Sequence, residues 1–88
     1  MDSMKRILHI LKRKDDPIAL EIIRKESVLN EVTVLLIQEA VDLDLNGIRA
    51  NIFVLDEEAE GQNSLRYPKI GYKEMLDQIM RSETVATW

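Results

Sequence analysis

The stretch Glu31-Val-Thr-Val-Leu-Leu-Ile-Gln-Glu-Ala-Val41 decides how this chain is read. Val32 to Ile37 carries no charge, and four of its six residues are β-branched. Apolar side chains occur at both parities, so both faces of a strand here need cover. That is the pattern of a strand inside a helix-flanked parallel sheet, not of one with a wet face. The run stops at Gln38 and Glu39. Open α/β sheets place their ligand or partner crevice just past the carboxyl ends of such strands. Gln38 and Glu39 are therefore the first candidates for a recognition edge.

Working outward, Arg6–Leu11 repeats the signature, with Ile7, Leu8, Ile10 and Leu11 on both faces and His9 in the middle. A lone histidine in an apolar strand is ordinarily a hydrogen-bonded core or interface residue. The alternative is a ligand or proton-transfer role. Asp16-Pro17 punctuates the start of a helix, because aspartate caps free N–H groups and proline fits the first helical position. Ile18, Ala19, Ile22 and Ile23 recur at helical spacing, and the helix is expected to end near Ser27. A strand, a helix and a second strand make a βαβ unit with parallel strands.

Further along, Ala40, Val41, Leu43 and Leu45 predict a short helix over 38–45, closed by Asn46-Gly47. Asp42 and Asp44 lack the full ladder of calcium ligands, and no metal site is expected. Ala50–Leu55 reads as a third strand, and Asp56 caps the acidic turn 57–60. Lys69-Ile70-Gly71 is a brief edge strand. Tyr72–Arg81 is a helix with Tyr72, Met75, Leu76, Ile79 and Met80 as its apolar stripe. Glu83–Thr87 alternates weakly and suggests a last strand at the sheet edge. Trp88 either frays or anchors an interface with its large apolar area. The alternation of strand and helix predicts one α/β domain over residues 1–88. The expected architecture is a three-layer sandwich on a mainly parallel sheet of four to five strands, with helices on both faces.

Composition excludes several functions. The 88 residues suffice for one small core, 45% of them apolar. The net charge of −4 argues against broad electrostatic binding to nucleic acid. The basic cluster Lys5-Arg6 with Lys12-Arg13-Lys14 reads as a solvated strand end and loop. There is no cysteine, so no disulfide, thiolate metal site or thiol chemistry belongs to this chain. No run is apolar enough to span a bilayer and the N-terminus is not a secretory signal, so a cytoplasmic location is expected. No phosphate loop follows the first strand and no serine sits in a nucleophile elbow, so no cofactor and no catalytic residues are assigned.

Several segments occur in an order and spacing that resemble the DsrH/TusB family of small sulfur-relay subunits. They are Ile7-Leu8-His9-Ile10-Leu11, Val34 to Val41, Ile52 to Glu58, Ile70-Gly71-Tyr72 and the terminal Trp88. The resemblance covers nearly the whole chain. It implies a DsrE-like fold and assembly with DsrE/TusD-like and DsrF/TusC-like subunits. It also implies persulfide transfer toward tRNA wobble-uridine 2-thiolation or in dissimilatory sulfur metabolism. Sulfur-oxidising members carry a cysteine in the first helix, near the position of Arg24. Its absence places this chain closest to TusB-type members, accessory subunits rather than enzymes. Family members often show acid-glycine-valine after the second strand, where this chain has Glu39-Ala40-Val41. The expected function is thus a non-catalytic subunit that supports transfer by a partner. The alternative is a stand-alone homo-oligomeric binding or regulatory protein, and an enzyme using His9 with Glu39 or Asp56 is a third class. The expected recognition edge is His9, Gln38, Glu39 and Asp56. The expected interface is Leu43, Leu45, Tyr72, Met80 and Trp88.

Overall fold

The computed structural model of the protein describes residues 5–45, 47–55 and 67–88. Its elements run β1 (Arg6–Leu11), α1 (Pro17–Leu29), β2 (Glu31–Leu36), a 3₁₀ turn (Gln38–Asp42), β3 (Asn51–Leu55), β4 (Lys69–Ile70), α2 (Tyr72–Arg81) and β5 (Thr84–Thr87). The five strands form one sheet in the order β4-β3-β2-β1-β5, and every pairing is parallel. The expected α/β class and parallel sheet are what the chain adopts.

Both parities of the central strands are buried, which is why they read as continuous apolar runs. Ile7 and Leu11 of β1, Val32, Val34 and Leu36 of β2, and Ile52 and Val54 of β3 share a cluster with Ala19 and Ile23 of α1. Leu8, Ile10, Leu35 and Leu55 form a second cluster, against which Phe53, Ile70, and Met75 and Ile79 of α2 pack. Parallel register aligns His9 with Val34 on one side and with Ala86 on the other. This puts the C-terminal strand beside the N-terminal one. Trp88 extends that pairing, its N–H donating to the Ile10 carbonyl at 2.9 Å.

Helix α1 starts as its punctuation dictates, with Asp16 Oδ1 accepting from the Ala19 N–H at 3.2 Å and Pro17 in the first turn. Its end differs from the expected Ser27. The helix runs to Leu29, because the Asn30 backbone and side-chain N–H groups both donate to the Glu26 carbonyl. Val28 and Leu29 are exposed residues of its last turn. The expected helix over 38–45 is shorter, a 3₁₀ turn over Gln38–Asp42. Leu43 leaves it in extended backbone, and Leu45 gives its N–H to the Tyr67 hydroxyl at 2.9 Å. Gly47 takes φ +90°, the left-handed conformation that glycine adopts freely.

Helix α2 matches its expected bounds, with the Glu74 carboxylate reaching back to accept from the Gly71 N–H at 3.0 Å. Its apolar stripe is only half used. Met75 and Ile79 pack against the second cluster, while Tyr72, Leu76 and Met80 are 51%, 57% and 84% exposed. Residues 72, 76 and 80 form a row one step around the helix from 75 and 79, and the sheet covers only the second row.

Candidate functional site

His9 is the centre of the polar structure. It stands mid-strand in β1 and is 2% exposed. A buried imidazole needs partners for both ring nitrogens. Nε2 lies 2.6 Å from Oε1 of Glu26, in the last turn of α1. Nδ1 lies 2.9 Å from Nε1 of Trp88, just past β5. Indole nitrogen can only donate, so Nδ1 is the acceptor and the proton sits on Nε2, where it faces the Glu26 carboxylate. The arrangement is a neutral imidazole with a fixed tautomer. The two rings meet edge to edge and lie nearly coplanar, with centroids 5.9 Å apart and planes 21° from parallel.

The three groups come from distant parts of the chain. The strand β1 supplies His9, the helix that follows supplies Glu26, and the C-terminal strand supplies Trp88, 79 positions from His9. Glu26 is about a third exposed, and Trp88 is half-buried against the first cluster. No buried side-chain nitrogen or oxygen among the described residues lacks a hydrogen-bond partner. In this conformation the imidazole has no vacant acceptor and cannot act as a base toward anything outside the fold. Glu26 with His9 nevertheless has the form of a carboxylate-oriented imidazole.

The expected recognition edge separates. His9 is interior, whereas Gln38 and Glu39 are exposed beyond the carboxyl end of β2. Its ring nitrogens are taken by Glu26 and Trp88, so Gln38 and Glu39 do not join its network. Asp56 lies outside the described residues. Gln38 has φ 52°, an unusual backbone for a residue other than glycine. It follows directly on Ile37, whose N–H donates to the Leu11 carbonyl at 2.9 Å.

The expected interface also separates. Leu45 is buried and Leu43 half-buried, both against the protein's own core. Trp88 is turned inward onto His9 instead of fraying. Tyr72 and Met80 stay on the surface, with Leu76 between them. Among the described residues, no three His, Asp or Glu side chains gather as metal ligands do. No helix among them is long and apolar enough to cross a membrane.

Sequence reasoning missed Glu26. Its signal was a carboxylate three residues after Ile23, on the same side of α1 as Ala19 and Ile23. An acid on the covered face of a helix requires a buried partner, and His9 is the one histidine present. No family model, no curated protein and no solved structure matches the chain.

Proposed function

We propose that the chain is a non-catalytic, cytoplasmic subunit of a sulfur-relay complex of the DsrH/TusB kind. It supports persulfide transfer carried out by a partner subunit, toward 2-thiolation of the tRNA wobble uridine. The observation that carries this reading is the closed His9. The one imidazole of the chain is occupied at both nitrogens, and no thiol exists to hold sulfur. A chain so equipped contributes surface more than chemistry. The row Tyr72, Leu76 and Met80 offers that surface, since apolar side chains in line on a small domain favour association. DsrE/TusD-like and DsrF/TusC-like subunits are the proposed partners, and the transfer needs no cofactor or direct nucleic-acid contact from this chain.

Deleting the gene and measuring wobble 2-thiouridine in bulk tRNA tests this reading. Loss of the modification, restored by the wild-type gene, is the expected result. Unchanged thiolation contradicts the tRNA assignment. The same apolar row serves equally for self-association, so a stand-alone homo-oligomer is the second reading. The native mass of the protein purified alone separates the two.

A further inference from the structure

We infer that the partner subunit docks along the β5 side of the molecule, and that it is an α/β subunit whose own edge strand, set between two helices, extends the sheet beyond β5. This rests on the sulfur-relay reading, which requires a second subunit to bring the thiol.

The first support is the edge itself. The two outer strands of the sheet are built differently. β4 is two residues long, follows Pro68 and begins with Lys69, a form that discourages further pairing. β5 is Thr84-Val-Ala-Thr87, with no charge, proline or glycine to guard it. It pairs with β1 on one side, and among the described residues no strand lies on its other side. Trp88 pins its end to Ile10 and His9, so the open edge is held extended, as strand addition requires.

The second support is that both helices turn apolar rows to this same side. On α2, the flank with Gln78 and Arg81 lines a cavity with Thr33, Asn51 and Phe53 of β2 and β3. Tyr72, Leu76 and Met80 lie on the other flank, toward β1 and β5. On α1, Ser27 lines a cavity with Ala50 and Asn51, on the β3 side. Ile18, Ile22 and Leu29 fall roughly opposite Ser27 around the helix, again toward β5. Ile18 and Leu29 are exposed and Ile22 is half-buried. Helix α1 packs on the cluster of Ile7 and Leu11, and α2 on that of Leu8 and Ile10. Those residues alternate along β1, so the two rows flank β5 from either side of the sheet.

The shape of this side selects its occupant. A lone extended peptide completes the strand edge and leaves both rows bare. A lone helix covers one row and leaves the strand edge open. An edge strand between two helices covers all three at once, burying the apolar surface that a small domain otherwise exposes. A second copy of this chain has the same shape but brings no thiol.

The test is co-purification of the tagged full chain from the cells that express it, as wild type and as three variants. Ile18→Glu and Val85→Lys change exposed side chains on α1 and on β5, and each is expected to lose the partner. Val28→Glu, exposed on α1 beside Ser27 and away from the β5 side, is expected to keep it. Retention of the partner by Ile18→Glu or by Val85→Lys overturns the docking and leaves the sulfur-relay reading standing. Hydrogen exchange on the wild type needs no variant to fold. The β5 amides that exchange freely in the chain alone are expected to slow at least roughly tenfold in the complex. Unchanged exchange overturns the strand addition. Recovery of copies of this chain alone overturns the choice of partner. An α/β partner without cysteine, lost in both edge variants, supports the docking and defeats the sulfur-relay reading.

Discussion

The indole N–H of Trp88 donates to Nδ1 of His9 at 2.9 Å, joining the last residue of the chain to the middle of its first strand. Together with the 2.6 Å contact from His9 to Glu26, this bond ties β1, α1 and the C-terminal end of the sheet through a single imidazole. The polar chain crosses a cluster that is otherwise apolar, so each member is expected to affect stability well beyond its own size.

Replacing His9 by Asn removes the bridge and leaves the indole N–H and the Glu26 carboxylate without their shared partner. The expected loss is ~2–3 kcal/mol, the sum of an imperfectly filled site and unpaired polar groups. Urea unfolding followed by the fluorescence of Trp88 measures it. A change below about 0.5 kcal/mol, the range of ordinary surface substitutions, contradicts the bridging role.

Glu26→Gln keeps an acceptor oxygen for Nε2–H and is expected to lose only ~1 kcal/mol. Glu26→Leu strands that donor and is expected to lose ~2 kcal/mol, because an unmade buried bond costs more than a weakened one. Unfolding midpoints of the two variants, compared at equal slope, give the order. The reverse order contradicts the assignment of Glu26 as the acceptor.

The tautomer is itself a prediction. Long-range ¹H–¹⁵N correlation spectra of the single histidine are expected to show a protonated Nε2 and a bare Nδ1. A protonated Nδ1 is incompatible with donation from Trp88.

On α2 the two rows behave oppositely. Ile79→Ala removes packing from the second cluster and is expected to destabilise by ~1–2 kcal/mol, below the range of a fully buried isoleucine. Leu76→Glu and Met80→Glu alter exposed side chains, with stability expected to stay within ~0.5 kcal/mol. The same two substitutions are expected to abolish association with partner subunits. Thermal unfolding and co-purification, run on the same variants, check both halves.

Much of the fold was legible because the physics behind it is local. The uncharged run Val32–Ile37 declared a strand buried on both sides, Asp16-Pro17 declared a helix start, and both statements depend on near neighbours alone. The site was less legible because it depends on strand order. Nothing near Trp88 says that β5 lies beside β1 rather than beside β4, yet only that order brings the indole to His9. The separation of His9 from Gln38 and Glu39 has the same origin. His9 aligns with Val34, and the four residues from there to Gln38 carry that side chain roughly 13 Å along the strand direction before the chain turns. The stripe on α2 was over-read for a different reason. Periodicity identifies apolar rows on a helix but not how wide a sheet surface awaits them, and here it covers one row of two.

Whether this chain works as an accessory subunit is decided by what it binds in the cell. The most direct measurement is affinity purification of the tagged protein at native levels from the cells that express it, with mass spectrometry of what accompanies it. The prediction is a stoichiometric complex containing a DsrE/TusD-like subunit that carries a cysteine, lost on Leu76→Glu and Met80→Glu. Recovery of the chain alone, or only with copies of itself, contradicts it.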